Sequence, residues 1–416
     1  MKKRVVVTGL GAVTPVGLDV GTSWQAVLRG ESGAARVTRF NPEKYGLNVY
    51  IACEVKNFTL ENKIVPKGIN PKSLPLNSMY ALQAAFEAVE MANLTDDTDL
   101  SFRRGCILGT GIGAFEEFEK NHQALLEGGY AKVKPLFLPF SLPSATGGLI
   151  SIRHKLRGPI YNVSTACASG THAIGEAMKI IQNGRADVML CGGVESSITP
   201  LCTAGFAKVF TLSRRNDDPS TASRPFSRDR DGFVQGEGAG ILLLESLEHA
   251  QQRGANIICE LVGYSLSADA EHITTGNPKI WCQTMREALK DSNIIPETID
   301  YVNAHGTSTE INDKTEIEAI KMAFGSYAKN LSVSSTKGST GHCLPAAGGL
   351  EAVFTAMVIK NKIVPPSANL SEVGDDCTGV RHIQTAENAE IEYAMSNSFG
   401  FGGFNAVIIM KRYCED

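Results

Sequence analysis

Short apolar runs that break at small residues, each followed by a stripe at helical spacing, recur along this 416-residue chain. Val5–Val7 runs into Gly9-Leu10-Gly11, and Ile160–Val163 breaks at Ser164-Thr165-Ala166. A third run starts at Ile299, and a fourth holds Leu331 and Val333. Helical spacing shows in Met79, Leu82, Phe86 and Val89 after Ser78, read as a cap, and in Ile317, Ile320 and Phe324 after Asp313. It recurs in Ile174, Met178 and Ile181 and through Val353, Phe354 and Met357. Strand-length runs feeding core-facing helices predict an α/β fold. The stretches from Arg36 to Ser73 and from Ala268 to Lys279 are polar and irregular, and are predicted as loops over a pocket entrance. No Pro/Gly/Ser-rich linker or charge block divides the chain, which predicts one compact unit with two intertwined halves, 1–255 and 256–416.

Three side chains able to do chemistry sit where such runs end. Cys167 follows Tyr-Asn-Val-Ser-Thr-Ala and precedes the Ile174 helix, a strand-to-helix turn at which unpaired backbone N–H groups favour thiolate and can hold an oxyanion. His305 lies in Asn303-Ala-His-Gly-Thr-Ser-Thr309, and His342 ends Ser334-Ser-Thr-Lys-Gly-Ser-Thr-Gly-His. A buried structural cysteine or a satisfied core histidine is the commoner fate of each taken alone. Together at strand ends, where α/β sites gather, they point to one pocket. Val-Ser-Thr-Ala-Cys-Ala-Ser-Gly-Thr-His also parallels Val-Ser-Ser-Thr-Lys-Gly-Ser-Thr-Gly-His, which suggests two related halves.

These motifs, with Asn397-Ser-Phe-Gly-Phe-Gly-Gly403 in the same order, resemble the elongating β-ketoacyl-acyl-carrier-protein synthases over essentially the whole chain. The resemblance implies a duplicated thiolase fold of five layers, αβαβα, with Cys167 in the N-terminal half and both histidines in the C-terminal half. It implies that Cys167 takes an acyl primer while His305 and His342 hold a malonyl thioester carbonyl. Lys337 would orient the site electrostatically with Glu351 as ion partner, and Asp313 and Glu316 would support the same network. On pattern alone, a solvated helix face for Asp313 and Glu316 and a helix-start carboxylate for Glu351 remain open. The N–H groups of Cys167 and Phe401 match the oxyanion hole, Phe401 the gate to an acyl tunnel, and Ile112 a position limiting the acyl pocket. Lys132, Lys134 and Lys208 are candidates for docking an acidic acyl carrier protein. A homodimer, or a heterodimer with a homologous chain-length subunit, is implied. No cofactor is expected, since phosphopantetheine arrives on the carrier.

Composition narrows the alternatives. A 43% hydrophobic and 20% charged chain is ordinary for a globular protein. A net charge of −4 argues against nucleic acid. No run approaches the ~20 apolar residues of a membrane span, so a soluble, cytoplasmic protein is expected. Ten scattered cysteines without a Cys-x-x-Cys pair give no zinc site or disulfide scaffold. Gly9-Leu-Gly11 and Gly109-Thr-Gly-Ile-Gly113 lack the third glycine of a dinucleotide fingerprint and are read as tight turns.

A cysteine with two histidines permits acyl transfer, followed by decarboxylation of a malonyl thioester to an enolate that attacks the acyl group. Phe404, where the fatty-acid enzymes carry Thr or Asn, together with Asn312, Gly338-Ser339 and Pro345, leans towards the ketosynthases of dissociated polyketide or polyene systems. Fatty-acid elongation is the close alternative. A primer-type synthase is disfavoured by the Lys337/His342 motif and a non-catalytic chain-length subunit by Cys167, while a CoA-dependent thiolase stays as a more distant alternative. A cysteine hydrolase using Cys167, His305 and Asp313 would release free acid and need no malonate.

Overall fold

A computed structural model of the protein describes residues 2–95 and 101–415. The strands of its main sheet, in chain order, are β1 (Val5–Val13), β2 (Arg104–Gly109), β3 (Ile160–Val163), β4 (Val188–Glu195), β5 (Gly238–Ser246), β6 (Cys259–Ala268), β7 (Tyr301–Asn303), β8 (Ser332–Ser334), β9 (Arg381–His382), β10 (Tyr393–Gly400) and β11 (Phe404–Lys411). The helices that position the site are α1 (Leu76–Met91), α2 (Phe115–Gly128), α3 (Ser169–Gln182), α4 (Pro200–Lys208), α5 (Pro278–Asp291), α6 (Glu310–Phe324), the single turn α7 (Lys337–Thr340) and α8 (Pro345–Asn361).

These strands form an 11-stranded sheet in the order β9-β8-β7-β10-β11-β6-β1-β5-β4-β2-β3, and two short two-stranded pairs lie outside it. Read outward from the β6/β1 seam, the two arms have the same topology. The N-terminal arm runs 1-5-4-2-3, and the C-terminal arm runs 6-11-10-7-8 with β9 added at its edge. In each arm the strand that comes last in the chain, β5 or β11, is antiparallel to both neighbours, and the three strands beyond it, away from the seam, are mutually parallel. The seam is short, with Val5–Val7 of β1 pairing Cys259–Leu261 of β6. The sequence parallel around Cys167 and His342 therefore falls on equivalent strands, β3 and β8.

Helices α3 and α8 lie between the arms, touching strands of both, while α1 covers the N-terminal arm and α5 and α6 the C-terminal arm. That gives the five alternating layers. Every residue from Pro345 to Ile359 of α8 is buried, as a helix covered on both sides requires. The central helices approach the sheet through glycines: a Cβ on Gly349 would meet the Gly240 carbonyl oxygen at 2.3 Å, and one on Gly170 would meet Gly349 N at 2.7 Å.

Several local expectations are corrected. Gly9 and Gly11 lie inside β1, where added Cβ atoms would sit 2.0 Å from the Ala88 oxygen and 1.8 Å from the Ala84 oxygen. They serve close packing of α1 on the strand, not a turn. The fully buried face of α1 is accordingly Tyr80, Ala81, Leu82, Ala84, Ala85 and Ala88, with Met79, Phe86 and Val89 half-buried at its margin. Ser78 is buried within α1, which starts after Pro75. Helix α6 is capped by Thr309, whose hydroxyl accepts from Asn312 N at 3.3 Å, so Asp313 lies one turn inside. The stretch from Arg36 to Ser73 packs as a belt rather than over the entrance. Cys53 and Ile51 are buried with Phe233 and Leu344, and Val55, Leu60 and Ile64 join the α1 core. No helix among the described residues is long and apolar enough to cross a membrane.

Candidate active site

Cys167 sits between β3 and α3 on a tight elbow. Ala166 has φ +48°, Ala168 N bonds the Thr165 oxygen at 3.2 Å, and the Ser169 hydroxyl donates to the Ala166 oxygen at 2.6 Å. A left-handed alanine costs on the order of 1 kcal/mol and is held by these bonds. The main-chain N–H groups of Phe401 and of Cys167 itself interact with the sulfur, the pair expected as an oxyanion hole. The thiolate expectation is reversed: burial pushes the thiol up to about 11, and Lys337 and those two N–H groups only moderate the rise. Desolvation disfavours the charged form more than the helix end restores it. Burial thus favours the thiol over the thiolate at Cys167.

His305 follows β7, and His342 follows β8 and α7. Their ring centroids are 5.2 Å apart and nearly perpendicular, at 87°. Both rings are buried, and burial together with Lys337 holds each well below the usual histidine range, so both are neutral. The Lys337 ammonium has donors and no acceptor, and its Nζ lies 3.3 Å from His305 Nδ1. Nδ1 therefore accepts, and the proton of the neutral ring is on Nε2. On its other side Lys337 is ion-paired with Glu351, and both are buried. The Glu351 carboxyl is nonetheless pushed up by burial. Of the alternatives left open by the pattern, burial excludes the solvated helix face for both remaining acids. Glu316 accepts from His305 N at 2.8 Å, Gly306 N at 2.7 Å and Asn397 Nδ2 at 3.1 Å, and burial raises it to about 7. Asp313 accepts from Phe226 N at 2.7 Å and Ser308 N at 3.1 Å, and it faces Arg230 at 3.7 Å.

Cys167, His305, His342 and Phe401 line a single cavity of about 420 Å³. Sulfur and both imidazoles thus converge as the pattern requires. Phe401 lies between Gly400 and Gly402, and Gly402 (φ +84°) and Gly403 (φ +74°) adopt the left-handed region that favours glycine. The 268–279 stretch borders the mouth through Asp269 and Ile273–Gly276, in agreement with its reading as an entrance loop.

Trp281, Phe233 and Glu195 had no signature in the sequence, whereas Phe399, Thr307 and Thr309 fall within the motifs around His305 and Phe401. Trp281 on α5 stacks on Phe399 at 3.9 Å and 4°, and Phe399 stands edge-on to His305 at 6.1 Å. Phe233 stands edge-on to His342 at 5.2 Å. Thr307 and Thr309 line the cavity beside His305. Glu195, at the end of β4, accepts from Gly111 N at 2.9 Å and Ile112 N at 3.3 Å, and burial raises it to about 7. Only the three-dimensional pairing of these loops reveals Trp281, Phe233 and Glu195.

Ile112 does not line the cavity and is 37% exposed. Lys132 and Lys134 lie just beyond α2 and do not line the cavity, and Lys134 pairs with Glu117 at 2.8 Å. Lys208 ends α4, next to Val209 and Phe210 of the mouth. Asn312 lines the mouth, and its Nδ2 donates to Asp313 at 3.1 Å, while the Phe404 ring packs over Gly402.

Residues 2–250 match the family model described as the β-ketoacyl synthase N-terminal domain, and residues 258–371 match the corresponding C-terminal domain. The chain is 46% identical over 413 residues, 99% of each chain, to a 3-oxoacyl-[acyl-carrier-protein] synthase 2 of Staphylococcus aureus. Among solved structures, the ishigamide ketosynthase/chain length factor superposes with a TM-score of 0.92 at 34% identity, covering all of both chains. The AntDE:AntF complex, a type II polyketide synthase carrier protein with its ketosynthase bound to the hexaketide, superposes at 0.91 with 33% identity, again over all of both chains.

Proposed function

The chain belongs to the β-ketoacyl synthase family, and from that membership we propose that it is the ketosynthase of a dissociated polyketide or polyene system, extending acyl chains with malonyl-acyl carrier protein. It is an acyl-transferring condensing enzyme with a thiolase fold. In the first half-reaction the Cys167 sulfur attacks the carrier-bound thioester. The oxyanion is received by the N–H groups of Cys167 and Phe401, and the carrier thiol leaves with the thiol proton. In the second, the malonyl thioester carbonyl lies against the two imidazoles, with Nε2–H of His305 donating. Loss of CO₂ leaves an enolate whose carbon attacks the acyl group on Cys167. The new carbon–carbon bond forms as the carbon–sulfur bond breaks, and one proton restores the thiol. Each donor at the enolate oxygen is worth on the order of 3 kcal/mol of transition-state stabilisation.

The observation that carries this reading is Lys337 Nζ at 3.3 Å from His305 Nδ1, from which the proton is assigned to Nε2. Lys337 dictates a neutral, donating imidazole, which suits an enolate and disqualifies that ring as the base a hydrolase needs. Phe404 and Asn312, both at the gate and mouth, favour the polyketide setting. A second reading, fatty-acid elongation, is favoured by the 46% identity to synthase 2. On either reading the enzyme needs no cofactor of its own, works with an acyl carrier protein, and pairs with a second copy or a homologous chain-length subunit. Incubation with acyl- and malonyl-carrier protein tests the proposal: CO₂ release with a two-carbon-longer 3-oxoacyl product supports condensation, and free acid without CO₂ overturns it. Preference for polyunsaturated or short primers over long saturated ones separates the polyketide from the fatty-acid reading.

A further inference from the structure

His172 lies one turn into α3, buried directly behind the nucleophile elbow, and does not line the cavity. It cannot touch substrate. Its Nδ1 is 2.7 Å from the Thr165 hydroxyl, two residues before Cys167. The ring also meets the main-chain carbonyl of Asn405, just past the Phe401–Phe404 loop, and burial holds it neutral, lowered to about 4. With one ring nitrogen committed to that carbonyl, Nδ1 is left to accept the Thr165 hydroxyl proton.

The contacts on either side extend this link. Thr165 bridges Cys167 across the elbow, whose Ala166 is left-handed and cannot hold its shape unaided. A Cβ on Gly400 would meet Cys167 N and the Thr165 oxygen, both at 3.1 Å, so the near end of the gate loop rests on the elbow backbone. At its far end, Asn405 Nδ2 donates to Asp269 Oδ1 at 2.8 Å, and Trp281 Nε1 reaches Asp269 Oδ2 at 3.3 Å. His172 is thus the joint between the nucleophile elbow, the base of the gate loop and the mouth.

We propose that His172 is a positioning residue for acyl transfer, holding the Cys167 elbow through Thr165 and registering it against the gate loop through the Asn405 main chain. It rests on the condensing-enzyme reading above. Its contacts include neither His305 nor His342, so it serves the cysteine half-reaction and not decarboxylation.

The test measures both half-reactions on the intact protein: acyl transfer from acyl-carrier protein to Cys167 by intact mass, and CO₂ release from malonyl-carrier protein alone. In His172→Ala, acyl transfer falls about tenfold, the upper end of what one neutral hydrogen bond holds, while CO₂ release changes less than about twofold. His172→Asn, which can return an acceptor near the Nδ1 position, recovers part of the loss. Thr165→Val, nearly isosteric and lacking the hydroxyl, reproduces the split without disturbing the ring, and combining it with His172→Ala adds little. Parallel loss of both half-reactions in His172→Ala, or a Thr165→Val enzyme that acylates at the parental rate, overturns the proposal. A parental enzyme that neither acylates nor releases CO₂ refutes the condensing reading instead.

Discussion

The two arms of the sheet share one strand order and differ in what they place at their strand ends. After its third strand the N-terminal arm carries Cys167, the proposed nucleophile, and the C-terminal arm His342, the proposed donor to the thioester oxygen. After the second strand the contrast is sharper. Both loops are pinned by a buried carboxylate that accepts two successive main-chain N–H groups: Glu195 holds Gly111 and Ile112, and Glu316 holds His305 and Gly306. Yet one acid comes from a strand and the other from a helix, and only the C-terminal loop presents a reacting side chain. The duplicated scaffold supplies the positions, and a few side chains divide the two half-reactions between them.

The largest expected effect follows from that division. Cys167→Ala abolishes acylation, read by intact mass, and Cys167→Gln retains CO₂ release from malonyl-carrier protein. His342→Ala shows the converse bias, with decarboxylation down by about a hundredfold or more and primer loading affected less. Equal loss of both steps in His342→Ala would break the comparison. Next in size, Lys337→Ala leaves Glu351 buried without its cation and removes the donor that fixes His305, so it destabilises the fold by about 3 kcal/mol and lowers CO₂ release. Lys337→Ala with Glu351→Ala regains stability but not activity, which denaturant unfolding and the CO₂ assay distinguish.

The paired carboxylates sharpen the comparison through pH. Glu195 and Glu316 are both raised to about 7, so the folded protein keeps protons that the unfolded chain has released above the ordinary carboxyl range. Their contribution to stability is full in acid and is lost as pH rises through about 7, and changing either to Gln flattens that decline by about 3 kcal/mol. Glu316→Gln should also slow CO₂ release, and Glu195→Gln should not. The smallest effect is kinetic: alkylation of Cys167 by iodoacetamide keeps accelerating with pH towards about 11, without the plateau near neutrality that a helix-end thiolate would give.

Much of this was legible in the string because it depends on local chemistry. Small residues after apolar runs marked the strand ends, and the parallel around Cys167 and His342 fell on equivalent strands. What escaped depends on non-local approach. Gly9 and Gly11 look like turn residues until α1 is seen lying on β1, and the alanine face of α1 is invisible to a search for large apolar side chains. Glu195 gives no signal in sequence because its partners are main-chain atoms of a loop about 80 residues away, joined only by strand pairing. The thiol's protonation was misjudged because a helix end is local, whereas desolvation is set by everything packed around it.

The glycine contacts at the middle layer bear on how such enzymes can be recombined. Gly170 and Gly240 precede the β5–β6 connection, Gly349 follows it, and the three meet backbone to backbone. A chimera joining one relative's front to another's back would tolerate many surface mismatches but not one methyl group at this seam. Such a methyl would wedge the sulfur away from the imidazoles without altering any reacting residue.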